Sequence, residues 1–206
     1  MADIGLNQNI SIKERRFHIQ TATHIEEGLI RTEVFEEGRL LFSQNLAYER
    51  RSNSQNGGYE ERIRKVLSRC HQVVISEMKT LFDLSALLRE KEDASSHFRL
   101  GAIFLSLHLY DLAEQHLRRA IELEPGKYSA HVTLARTLFF QNRFHASFDI
   151  LEPLLAGDIA YPDLYNLLGM ILLEQKNFIQ ALNHFRQAVK MNPDYKEAFF
   201  NLVYAV

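Results

Sequence analysis

The chain has 206 residues, 46% of them hydrophobic, enough for a buried core in a soluble globular protein. Twenty-four basic residues stand against 26 acidic ones, and the formal net charge of -2 is spread evenly, so no broad basic field is available to hold nucleic acid or an anionic membrane. The single cysteine, Cys70, leaves no partner for an internal disulfide and no thiolate cluster for zinc, and reads as a small hydrophobe on a helix face.

The opening Met-Ala-Asp-Ile-Gly-Leu-Asn-Gln lacks the positive start and apolar run of a secretory signal, and no stretch is long enough to span a bilayer, so a cytoplasmic location is expected. Residues 1 to about 14 are polar with isolated Ile4, Leu6, Ile10 and Ile12, compatible with partial disorder or an edge strand. From Arg16 to Tyr48 the apolar residues alternate with polar ones: Phe17, Ile19 and Thr21, then Ile30, Thr32 and Val34, then Leu40 and Phe42. Gly28 and Gly38 close the segments between these runs and can supply the positive φ of a tight hairpin. The expectation is a three-stranded antiparallel meander whose apolar face is covered by the next helix or by a second copy of the chain.

Residues 51–58, Arg-Ser-Asn-Ser-Gln-Asn-Gly-Gly, read as a flexible linker. Tyr59 to about Lys91 then carry Ile63, Val66, Leu67, Cys70, Val73, Val74, Met78, Leu81, Leu84 and Leu88 near one face, the pattern of a long amphipathic helix that Asp83 and Ser85 can interrupt. It either caps the following domain or pairs two copies through residues such as Val74.

From Ala94 the chain repeats itself every thirty-four residues, in blocks 94–127, 128–161 and 162–195. Gly101, Ala113, Ala120 and Pro125 of the first block recur as Gly169, Ala181, Ala188 and Pro193 in the third. Each block holds two helical patterns. The small residues lie where two antiparallel helices must approach closely, and each proline ends a unit. On these residues, with Leu100-Gly101, Leu168-Gly169, Leu117 and Phe185, the segment resembles the tetratricopeptide repeat family. The middle block departs from the pattern: Ala135 and Ser147 replace the first two small residues, and Leu154 and Ile159 replace the second alanine and the proline. Its Pro153 falls within the second helix, where it should bend the helix or shift its end. Residues 196–206 look like the first helix of a fourth unit, apolar on several sides through Phe199, Phe200 and Val203, so that a partner covers it or the natural chain continues past Val206.

The expected organisation is α+β and mostly α: a β-meander module at 1–58, a capping or dimerising helix at 59–93, and at 94–206 an α-solenoid of three helix pairs and a terminal helix. No phosphate loop, nucleophile elbow or paired-carboxylate motif is present. His97 and His131 share one repeat place, His116 and His184 another, so convergence on a metal is not expected; neither catalytic residues nor a cofactor is assigned.

The resemblance implies a concave groove lined by the first helices. By the family's geometry its walls are Phe98, Ala102 and Leu105, then Val132, Arg136 and Phe139, then Asn166, Met170 and Leu173, a largely apolar lining in which Arg136 and Asn166 would fix the register of a bound peptide or helix. Phe98, Ala102 and Thr133 stand where carboxylate-gripping members carry basic or amide side chains. The reading is a non-catalytic adaptor or scaffold that binds a protein or peptide, with no nucleic acid and no membrane insertion. Two other readings stay open: a chaperone shielding a hydrophobic segment of an exported partner, and a self-assembling module, a homodimer for instance, using Val74, Phe199, Phe200 and Val203.

Overall fold

The computed structural model describes residues 4–48, 57–156 and 161–205, so most of the expected linker, Ile159 and Val206 lie outside the described residues. The chain divides into two compact units, residues 1–91 and 92–206.

The first unit is an antiparallel sheet in the order β1-β2-β3-β4, formed by Gly5–Ile12, Arg15–His24, Leu29–Glu36 and Arg39–Ala47, followed by helix α1, Gly57–Leu88. The meander therefore has four strands, not three. β1 pairs with β2 along its whole length, and its contribution to the core is confined to Ile10 and Ile12, which is why its alternation is faint in sequence. Glu37 and Gly38, both with positive φ, make the two-residue turn between β3 and β4. A bulge at Val34/Phe35 then leaves Leu41 as an extra residue on β4, so Leu41 is buried and Leu40 exposed, the reverse of simple alternation.

One face of the sheet, with Phe17, Ile19, Ile30, Val34 and Leu41, forms the core, and α1 lies along it with Leu67, Val74, Met78 and Phe82 inward. Phe82 meets Phe17 edge-on, ring centroids 5.6 Å apart. Val74 is 2% exposed, so its side chain belongs to this core and cannot mediate pairing of two copies. A polar thread crosses the same layer: His71 Nδ1 is 2.9 Å from Thr21 Oγ1, which in turn donates to Thr32 Oγ1, and His71 Nε2 is 3.3 Å from Gln8 Oε1. Burial depresses the basicity of His71, since an imidazolium here gives up its hydration.

The second unit is helical: α2 (Ala94–Ser106), α3 (Tyr110–Leu123), α4 (Tyr128–Phe140), α5 (Phe144–Leu151), α6 (Pro162–Glu174), α7 (Phe178–Met191) and α8 (Lys196–Tyr204). The pairs α2/α3, α4/α5 and α6/α7 are the three thirty-four-residue blocks, and α8 begins a further unit. No described helix is long and apolar enough to cross a membrane.

Two local devices repeat. The turn inside each pair has one left-handed residue at the fifteenth place, His108, Asn142 and Lys176, with φ of 55°, 59° and 61°. The next amide reaches back to the carbonyl five residues earlier, Leu109 to Phe104, Arg143 to Leu138 and Asn177 to Leu172, at 2.8–2.9 Å, closing the first helix of each pair in the same way. The diverged middle block keeps this turn unchanged. Its second helix is short, however: α5 stops at Leu151, and Glu152–Ala156 continue as a 3-10 turn around Pro153, because proline cannot donate to the preceding turn.

The second device is close approach. A Cβ added to Gly101 would lie 2.6 Å from Leu117 Cγ, and one added to Gly169 would lie 2.5 Å from Phe185 Cε1. The middle pair tolerates Ala135 and uses Ser147 instead, whose buried hydroxyl donates to the Ala135 carbonyl at 2.6 Å.

In an exposed helix, Gly→Ala would stabilise by up to about 1 kcal/mol. Here the clash decides the sign: Gly169→Ala should destabilise by about 1–3 kcal/mol in urea unfolding, with a large part recovered in the Gly169→Ala/Phe185→Leu double variant. A second expectation concerns pH. The pKa of His71 is lowered on folding, so the unfolded chain takes up this proton first; the stability tied to neutral His71 is complete above the unfolded pKa of about 6.5 and is lost as pH falls through the folded value. The urea midpoint of the first unit should drop between pH 7.5 and 5, and His71→Gln should flatten that drop.

Candidate functional site

The first helices of the second and third pairs, α4 and α6, bound a recess of about 590 Å³. Val132, Thr133 and Arg136 of α4 form one side; Tyr161, Pro162 and Asp163 at the start of α6 form the other; Asn192 and Tyr195 close it from the turn before α8. Tyr128, the first residue of α4, bridges the walls. Its hydroxyl donates to Asp163 Oδ1 at 3.0 Å, and its ring lies 4.5 Å from that of Tyr161. Asp163 Oδ1 also accepts from the Leu164 amide at 3.0 Å, so the carboxylate serves the free amides at the start of α6 while orienting Tyr128.

Burial, followed by the negative charge of Asp163, raises the Tyr128 pKa far above its ordinary value. Burial and then Glu197 raise that of Tyr195. Both phenols therefore remain neutral donors throughout the physiological range. Arg136 is half-buried on the α4 wall and makes no ion pair among the described residues, and its charge is felt at Tyr195. The recess thus combines aromatic faces, a cation held at its side and a carboxylate already engaged, a lining more polar than the sequence suggested.

Of the nine groove residues expected from the repeat, Val132 and Arg136 border this recess. Phe98 lies under the ammonium of Lys127, 6.0 Å from its ring centroid, and Ala102 and Leu105 are half-buried on α2. Phe139 packs edge-on against Phe140 and Phe144. Met170 and Leu173 rest on the cluster of Leu172, Ala181 and Phe185, together with Leu202 and Ala205. Asn166 is buried rather than presented to a ligand. Its Nδ2 donates to Glu197 Oε1 at 3.2 Å and its Oδ1 accepts from Asn201 Nδ2 at 2.9 Å, so it ties α6 to α8 instead of fixing a peptide's register.

Tyr128, Tyr161, Asn192 and Tyr195 border the recess but are not among the groove residues expected from the repeat, although the repeat carried a signal: Tyr161 and Tyr195 share the last place of their blocks and Tyr128 the first. Phe199, Phe200 and Val203 are exposed on α8. His97 and His116 are nineteen residues apart in one block, yet the antiparallel pair brings their Nδ1 atoms to 2.9 Å, both rings buried and Phe104 stacked on His116. Among the described residues no three His, Cys, Asp or Glu side chains gather as a metal site. Because the Asn166 bonds join α8 to the array, Asn166→Ala should release α8 first: amide exchange at 197–204 should accelerate at least tenfold while 164–173 stays protected, as loss of buried hydrogen bonds worth about 1–3 kcal/mol requires.

Models of the tetratricopeptide repeat match residues 94–127 and 162–195, the first and third blocks. A search of curated proteins gives no match. Among solved structures, the chain is similar to YrrB, described as a TPR protein with an unusual peptide-binding site, at 22% identity over 58% of this chain and 62% of that one, with a TM-score of 0.50. The chain thus spans less than two thirds of YrrB. It is also similar to MamA (41-end) from Desulfovibrio magneticus RS-1, at 21% identity over 69% and 80% of the two chains, TM-score 0.56. The first TPR of Spaghetti (RPAP3), solved with the HSP90 peptide SRMEEVD, aligns at 16% identity over 54% and 89%, TM-score 0.52. At these identities the likeness is one of fold. Residues 94–127 and 162–195 are tetratricopeptide repeats, and the helical unit of this chain has the fold of that family.

Proposed function

We propose that the chain is a non-catalytic, cytoplasmic adaptor that binds an extended peptide segment of another protein in the recess between α4 and α6. The observation that carries this reading is the half-buried Arg136, without an ion pair among the described residues, on a wall shared with Val132 and facing the tyrosines. A cation kept out of intrachain pairing and partly shielded from water favours an acceptor arriving from outside, a backbone carbonyl or a carboxylate. Tyrosine supplies broad contact area with few rotatable bonds and a donor at its tip, which suits recognition of a peptide backbone. The peptide-binding descriptions of YrrB and of the RPAP3 repeat support the same use of this fold.

Peptide selection from a displayed random library against the full chain tests the proposal. Enriched peptides should bind with dissociation constants in about the micromolar range and lose at least tenfold in affinity for Arg136→Glu and for Ser129→Arg, the second a substitution at the exposed rim that narrows the recess. Undiminished binding to both folded variants would place recognition elsewhere and refute the reading.

A further inference from the structure

Helix α1 carries a second apolar stripe that the sheet does not use. Val66, Cys70 and Val73, then Leu84 and Leu87, follow the alternating spacing of four and three that marks a seam between paired helices, interrupted by Glu77 and Thr80. This stripe lies beside the buried one, and Val66, Val73, Leu84 and Leu87 are 38%, 43%, 44% and 69% exposed. At its N-terminal half it adjoins a recess of about 350 Å³ bordered by Ile30, Thr32, Gln44 and Leu46, the part of the sheet's inner face that α1 leaves open.

The charges say what covers it. On the same helix Arg64 and Lys65 are neutralised by Glu60 and Glu61, both pairs at 2.7 Å. Arg62 and Arg69, on the N-terminal half, and Glu77 and Asp83, on the C-terminal half, make no ion pair among the described residues, and all four are exposed. They are arranged about Val73: Arg69 four residues before and Glu77 four after, Arg62 eleven before and Asp83 ten after. A two-fold axis beside Val73 therefore carries both arginines of one helix onto the acids of another running the opposite way. Parallel pairing in register would instead set Arg62 and Arg69 against themselves. A seam that is apolar at both ends, polar at Glu77 and Thr80, and self-complementary in charge only when reversed matches its own copy.

We propose that two copies of this chain associate through antiparallel α1 helices, each about 48 Å long, that meet at Val73. The inference is independent of the peptide recess in the other unit.

Sedimentation velocity on the full chain over a range of concentrations provides the test. A reversible dimer is expected. Val66→Glu with Val73→Glu, at positions already open to water, should weaken it about a hundredfold without changing the far-ultraviolet circular dichroism. Arg69→Glu and Glu77→Arg should each weaken it about threefold or more, and their combination should restore it, because the reversed pair regains its opposite charges. A monomer at about 100 μM, a dimer indifferent to the valine changes, one broken only by Phe199→Glu, or a combination that fails to restore pairing would each overturn the proposal. The charge variants decide the matter even if the double valine variant fails to fold.

Discussion

The helical unit depends on how closely the two helices of a pair can approach. At Gly101 and Gly169 there is no room for a Cβ, because Leu117 and Phe185 occupy the space. This contact sets the spacing within the pair, and the buried faces of both helices assume it. Leu100 and Phe104 on α2, and Leu168, Ile171 and Leu172 on α6, reach the core only if their partner helices stand at this distance. In the middle pair Ala135 stands at the glycine's place, and the buried Ser147 hydroxyl donates to its carbonyl across the pair.

From this spacing follows the recess. The left-handed turn at the fifteenth place of all three blocks returns each second helix along its first in the same way, so the first helices recur as neighbours on one side of the array. Tyr128 and Asp163, thirty-five residues apart in sequence, meet at 3.0 Å because the starts of α4 and α6 are brought side by side. Arg136, two turns into α4, is placed where its charge reaches Tyr195 at the entry to α8. Most of the polar side chains bordering the recess thus stand at or near helix starts, where free backbone amides and short turns hold them without disturbing the core.

Much of the architecture was legible in the sequence because its signals were steric and periodic. Gly101, Ala113 and Pro125, repeated as Gly169, Ala181 and Pro193, set the pair and its end, and Pro153 marked the early stop of α5. Strand β1 was obscured because only Ile10 and Ile12 enter the core, and the alternation in β4 was misread because a bulge shifts its parity by one residue. A capping and a pairing role both stayed open for Val74 because α1 is apolar over two adjacent stripes, and the sheet takes the one that holds Val74. Asn166 holds a groove place by the repeat, but the helix that follows, α8, supplies Glu197 and Asn201 to bond it. The contact of His97 with His116 required knowing which turn of α3 faces the first turn of α2.

On the proposed reading, the first helices of the repeats, and not their outer faces, receive another polypeptide. Hydrogen-deuterium exchange of the full chain with and without a saturating selected peptide tests it most directly. New protection is expected only at the N-terminal halves of α4 and α6 and the turn at Asn192–Tyr195. Protection appearing instead along α3, α5 and α7, or nowhere in residues 128–195, would contradict it.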